Sequence, residues 1–188
     1  MRSFIAIDFS REMKNSIRQL QNEIRELAVS GRWKYVDNFH LTIKFLDEID
    51  LKKAALIGKE LTDICSRTSS FTLKMGELGF FPGNGCIRVL WLGLEGDVAR
   101  LIKLQKNVEI GMGKLGFKME NREYKPHVTI GQNILLVRDF NDIKKKISFE
   151  KFPLINVDRI YLFSSEQIGR KRVYSPINEF LFNTNTKE

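Results

Sequence analysis

The chain has 188 residues and a formal net charge of +8, with 43% hydrophobic and 29% charged residues; this is the make-up of one soluble globular unit with room for a substantial core. It excludes a helical membrane protein, because no stretch approaches the roughly 20 apolar residues that span a bilayer, and a disulfide framework, because Cys65 and Cys86 are the only cysteines. The apolar run Phe4 to Ile7 is too short for a signal peptide, so a reducing cytoplasmic setting is expected, and the positive charge favours an anionic partner, nucleic acid above all, although charge alone is unspecific.

In chain order, Phe4 to Phe9 reads as a buried strand and Ser10 as the cap of a following helix. In that helix Met13, Ile17, Leu20, Ile24 and Leu27 form one apolar stripe. Gly31 falls past the helix end, Trp33 to Val36 starts a strand, and Asp37-Asn38 is a turn. Asp50 caps a second helix that turns Ala54, Ile57, Leu61 and Ile64 inward. Phe71 to Met75 alternates as a half-buried strand does, and Gly76 to Cys86, with four glycines and Pro82, reads as a loop. Arg88 to Leu94 is the next strand. Asp97 opens a helix with Leu101, Leu104, Val108, Met112 and Leu115 on one side. After a charged loop and another strand, Asp139 caps a short helix with Phe140, Ile143 and Ile147 inward, leaving Lys144 to Lys146 as a solvated face. Val157 to Phe163 is a strand, Ser164 to Arg172 a basic loop, and Val173 to Phe182 a last strand that Pro176 marks as an edge or a bend.

Two stretches stand apart, Phe39-His40-Leu41-Thr42-Ile43-Lys44-Phe45-Leu46 and Pro126-His127-Val128-Thr129-Ile130-Gly131. They contain both histidines of the chain, each opening a His-apolar-Thr-apolar run. Strand residues two apart share a face. His40, Thr42 and Lys44 then line one face and Leu41, Ile43 and Phe45 the buried one, while His127 and Thr129 oppose Val128 and Ile130. A lone strand histidine is commonly just a packed residue. Finding both histidines in the same four-residue setting argues for two faces that meet across a cleft. Each half of the chain reads as strand, helix and further strands with one such motif. The implied architecture is α+β: two antiparallel sheets facing a cleft, helices outside, pseudo-two-fold symmetry, and residues 1–188 as a single domain of two lobes.

Imidazole donates and accepts protons near neutrality, so a facing pair can divide acid and base duties. Two hydroxyls can hold oxygens that gain charge. The set fits in-line displacement at phosphorus, where positioning and charge stabilisation carry most of the catalysis. Lys44 could add a positive charge or be an ordinary exposed lysine. A metal is not expected: two distant histidines and two distant cysteines, with no His-x-x-x-His, no Cys-x-x-Cys and no acidic cluster nearby, make no ligand set. A phosphate loop of the Gly-x-x-x-x-Gly-Lys type is also absent.

These motifs, together with Arg2-Ser3-Phe4-Ile5-Ala6-Ile7, Gly79-Phe80-Phe81-Pro82, Arg88-Val89-Leu90-Trp91 and Gly116-Phe117, resemble the two-histidine (2H) phosphoesterases. Within them the likeness is to the RNA 2',3'-cyclic phosphodiesterases, also called 2'-5' RNA ligases, and it covers almost the whole chain. The resemblance implies the bilobal fold and cofactor-free, metal-independent hydrolysis of a terminal 2',3'-cyclic phosphate to a 2'-phosphate, with a possible reverse ligation. It implies His40 as proton donor to the departing 3' oxygen, His127 as the acceptor that activates water, and Thr42 and Thr129 as phosphate-binding residues. The implied partner is RNA or a nucleotide with a 2',3'-cyclic phosphate, bound by a monomer, with no membrane. One departure stands out: the group often reads His-x-Thr-x-x-Arg, and here that last place is Gln132. Arg170 or Arg172 could compensate. The alternatives are an RNA-binding protein with little turnover, or a phosphodiesterase for another cyclic phosphate or 2'-5' oligonucleotide.

Overall fold

The computed structural model describes residues 1–183. The chain runs β1 (Arg2–Asp8), α1 (Arg11–Arg25), β2 (Ala28–Trp33), a 3-10 turn (Val36–Asn38), β3 (His40–Glu48), α2 (Leu51–Ser66), β4 (Phe71–Pro82), β5 (Ile87–Gly96), α3 (Val98–Lys114), β6 (Val128–Leu136), α4 (Phe140–Lys144), β7 (Ile155–Val157), β8 (Arg159–Ile168) and β9 (Lys171–Leu181). Two sheets form, in the orders β3-β1-β8-β9 and β2-β6-β5-β4-β7, and their strand pairings are antiparallel. The α+β expectation holds. Each sheet draws strands from both halves of the chain. The four-stranded sheet joins β1 and β3 to β8 and β9 from the far end, and the five-stranded sheet takes β2 and β4 from the first half. Among the described residues no helix is long and apolar enough to cross a membrane.

The helix caps fall where short polar side chains allow. Ser10 Oγ accepts from Met13 N at 3.2 Å, and the Asp50 carboxylate from Lys53 N at 2.6 Å. Asp97 behaves differently: its carboxylate accepts from Thr72 N at 3.0 Å and so ties the start of α3 to β4. The stripe Met13, Ile17, Leu20 and Ile24 is buried, each side chain contributing about 1.5–3 kcal/mol on removal from water. It packs into one core with Ile5, Ile7, Leu41, Leu90, Val128, Ile130 and Leu162. A smaller cluster of Phe4, Ala6 and Phe163, flanked by Tyr161 and Tyr174, lies apart from it. Central strand β1 is therefore buried on both faces, the condition in which a strand reads as a continuous apolar run.

Three expectations are corrected by packing. Gly76 to Cys86 is not a loop: β4 continues to Pro82, pairing Leu78 with Leu92, Gly79 with Trp91 and Phe81 with Val89. Its glycines serve close approach, since a Cβ on Gly79 would stand 2.2 Å from Trp91 Cη2. Only the tip from Gly83 to Cys86 turns, with Gly83 N donating to Cys86 O at 2.9 Å. Gly31 does fall past the end of α1, within β2, where Ile134 Cδ1 occupies the place of its side chain. The strand expected from Trp33 to Val36 ends at Trp33 and gives way to the 3-10 turn. The basic stretch Ser164 to Arg172 is a hairpin, paired out to Ile168 and Lys171 and turned by Gly169 at φ +58°. Pro176 sits on edge strand β9 at a register shift opposite Leu162 and Phe163, which needs no N–H at that place.

Replacing Gly79 by alanine is expected to destabilise the protein by about 1–3 kcal/mol, because the rigid indole has to move. Urea denaturation measures this; unchanged stability would contradict the tight seat of Trp91.

Candidate active site

His40 opens β3 opposite Asp8 at the end of β1, and its neighbour Phe39 is fully buried. His40 Nδ1 lies 2.8 Å from Asn38 O, and Nε2 lies 2.9 Å from Thr42 Oγ1. His127 directly precedes β6, with Nδ1 2.7 Å from Lys125 O. A carbonyl only accepts, so both Nδ1 atoms carry hydrogen and both Nε2 atoms are left for chemistry. The same device, the carbonyl two residues upstream, orients both rings. Aromatic side chains fix them further. Phe4 and Tyr174 flank His40 with centroids at 4.8 and 5.2 Å. Phe81 and Trp91 flank His127 at 5.2 and 6.2 Å. Thr42 pairs with Ala6 and Thr129 with Trp91, and both threonines are half-buried. The motif strands belong to different sheets, and β3 and β6 touch.

Lys44 is not a cleft residue. Between Thr42 and Lys44 the pairing of β3 with β1 shifts register, Thr42 facing Ala6 and Lys44 facing Ile5. The bulge reverses the alternation. Lys44 turns inward and Phe45 outward, with exposures of 7% and 67%. Lys44 Nζ donates to Glu109 Oε1 at 2.6 Å and to Lys118 O at 3.0 Å. Glu109 Oε1 also accepts from Glu120 N at 2.6 Å, and Tyr124 Oη donates to Thr42 O at 2.8 Å. These bonds fasten the segment that delivers His127 onto the strand that carries His40. A second fastener is Gln21, whose Nε2 donates to Lys34 O at 2.9 Å and to Ile130 O at 2.7 Å. Neither Tyr124 nor Gln21 carries a pattern that a sequence reading could use. Gln132 is half-buried, opposite Arg32 on one side and Val89 on the other. Arg172 Nη1 reaches Ser165 Oγ at 3.4 Å, while Arg170 is exposed at the hairpin tip.

A family model described as LigT-like phosphoesterase matches residues 7–91 and again 92–174, so each match contains one His-x-Thr motif. The chain belongs to the LigT-like phosphoesterase family. It is 30% identical to the RNA 2',3'-cyclic phosphodiesterase of Methanocaldococcus jannaschii, covering 96% of this chain and 100% of that protein. It is 31% identical to the enzyme of the same name from Thermotoga maritima, covering 97% and 96%. The crystal structure of Escherichia coli LigT complexed with 3'-AMP superposes with a TM-score of 0.80 at 25% identity, covering 96% of this chain and 97% of that one. The Thermus thermophilus protein TT0787, at 19% identity and a TM-score of 0.77, shares the fold over 99% of this chain and 100% of its own. The expected family and fold are therefore borne out.

In this LigT-like site the His40 ring is enclosed between Phe4 and Tyr174. Burial pushes the His40 pKa down from its ordinary 6.5 to about 4. The Asn38 carbonyl opposes that, while the charges of Lys34, Lys14 and His127 add to it. His40 is neutral at pH 7 in the free protein, its Nε2 lone pair accepting from Thr42. A histidine whose folded pKa lies below its unfolded value adds nothing to acid sensitivity above about 6.5 and lowers stability as pH falls from there towards about 4. Chemical denaturation across that window is expected to show a shallower loss for His40→Asn than for the parent chain, and parallel curves would refute the depressed pKa. Ring-proton NMR should place the His40 midpoint far below 6.5.

Proposed function

We propose that this protein is an RNA 2',3'-cyclic phosphodiesterase that opens the cyclic phosphate to a 2'-phosphate. The observation that carries the reading is the pair of imidazoles from separate sheets, each with Nδ1 tied to a backbone carbonyl, at the starts of two motif strands that touch. The near-full-length relatives named RNA 2',3'-cyclic phosphodiesterase support the substrate. So does the bound ligand of E. coli LigT, a ribonucleotide monophosphate.

The cyclic phosphate lies between the two Nε2 atoms. His127 Nε2 takes a proton from water, and the water oxygen forms a bond to phosphorus. The bond from phosphorus to the 3' oxygen breaks, and that oxygen takes the proton from His40 Nε2. One imidazole ends protonated and the other neutral, so a proton transfer through solvent resets the pair. Thr42 and Thr129 donate hydrogen bonds to the non-bridging oxygens as their charge grows. His40 can serve as the donor although it is neutral in the free protein. Burial and the charges of Lys34 and Lys14 disfavour the imidazolium, and a bound phosphate anion against the ring works in the opposite direction.

A 2',3'-cyclic mononucleotide and a short RNA with a cyclic end, each incubated with EDTA, should both yield only 2'-phosphate ends. His40→Ala and His127→Ala are expected to lower kcat by about a hundredfold to ten-thousandfold. Thr42→Val and Thr129→Val should each cost about a hundredfold, the loss that follows removal of one charge-stabilising donor. A 3'-phosphate product, inhibition by EDTA or a fully active double histidine variant would defeat the assignment.

A further inference from the structure

Lys34 occupies the short link between β2 and the 3-10 turn, and both sheets hold it. Its backbone N donates to Ile130 O at 3.1 Å, one residue from Thr129. The carboxamide of Gln21 bridges Lys34 O and Ile130 O from the core side. Its side chain crosses to the other sheet, where Nζ donates to Tyr174 Oη at 3.3 Å and lies 5.6 Å from the centroid of that ring. The Tyr174 ring stands edge-on to His40. Among the charges that hold down the His40 pKa, behind burial, Lys34 is foremost.

Several basic side chains on the neighbouring segments are paired with carboxylates, whereas Arg172 reaches the Ser165 hydroxyl at 3.4 Å. Lys14 Nζ is 2.6 Å from Asp8, Arg11 is 2.9 Å and Lys171 3.8 Å from Asp37, and Lys44 is 2.6 Å from Glu109. Lys34 is half-buried and, among the described residues, forms no ion pair with a carboxylate. A phenol oxygen is a weak counterpart for a partly desolvated ammonium, whereas a phosphate oxygen is a strong one. We propose that Lys34 binds the reacting phosphate between His40 and His127 and supplies a fixed positive charge for that site. This rests on the reading of the cleft as a phosphate site. It adds a residue that neither histidine motif contains, contributed by the segment that links the two sheets. The ammonium meets the non-bridging oxygens, whose charge grows as water adds, so it favours the transition state more than the ground state.

Inorganic phosphate is the probe, titrated against the ring protons of His40 and His127 by NMR, with the parent chain, Lys34→Met, Lys34→Gln, Lys34→Arg and Lys171→Met. Lys34→Met and Lys34→Gln should weaken phosphate binding about tenfold or more, the loss of one charge-assisted contact. Lys34→Arg should stay within about threefold, and Lys171→Met, which removes a nearby charge paired with Asp37, should leave affinity unchanged. Two neutral substitutions guard against one failing to fold. No phosphate binding by the parent chain, unchanged binding in either neutral Lys34 variant, or an equal loss in Lys171→Met would overturn the proposal. The kcat/KM for a 2',3'-cyclic mononucleotide and for a dinucleotide with the same end should fall together in Lys34→Met. A loss confined to the dinucleotide would move Lys34 to a flanking phosphate and refute the assignment. The phosphate arm does not depend on turnover, so its failure is distinct from a failure of the cyclic phosphodiesterase reading.

Discussion

A backbone carbonyl two residues before each histidine decides what the cleft can do. Asn38 O and Lys125 O can only accept, so each imidazole is held as the tautomer with hydrogen on Nδ1 and with Nε2 available. The paths of the backbone through residues 38 and 125 therefore matter as much as the histidines. Asn38 is itself buried and braced, its N donating to Tyr35 O at 2.9 Å and its side chain to Arg172 O at 2.7 Å. The hairpin of β8 and β9 thereby steadies the turn that aims His40. Next to Lys125, Tyr124 is held by its bond to Thr42 O.

Those neighbours explain a buried ion pair that is otherwise costly. Taking the charges of Lys44 and Glu109 out of water is expensive, and their attraction offsets that only when the remaining valences are filled. Here they are. Lys44 also meets Lys118 O, and Glu109 also meets Glu120 N. The pair spans β3, α3 and the segment leading to His127, so it sets the spacing of two walls whose separation the chemistry depends on. Removing one partner would leave a buried charge and loosen that spacing together.

The chain's periodicity was enough to place α1, α2 and α3, the caps Ser10 and Asp50, the core stripes and both histidine strands. Local signals sufficed there because each element is amphipathic and begins at a short polar side chain. The stretch read as a loop from Gly76 failed through its first two glycines, which are strand residues at close approaches. Gly31, Gly76 and Gly79 look like breakers, yet they mark places where Ile134, Glu95 and Trp91 press against a strand. Glycine as a turn former and glycine as clearance for a neighbour are identical in one dimension. The bulge that sends Lys44 inward was equally hidden, since strict alternation puts it beside His40 and Thr42. The residues that join the two sheets, Gln21, Lys34, Tyr124 and Glu109, act through contacts between segments far apart in sequence and leave no periodic trace.

The way the strands interleave has a consequence for how the protein is made. Phe4 of β1 pairs with Phe163 of β8, so β1 finds its second neighbour only after the long intervening stretch has been synthesised. Contacts of such span are slow to close. The five-stranded sheet lacks its last strand, β7, until almost as late. A nascent chain halted before β8 holds both histidines but cannot complete the wall behind the first. Its strand β1, apolar on both faces, is then an adhesive edge during translation, the kind of transient surface on which chaperones act.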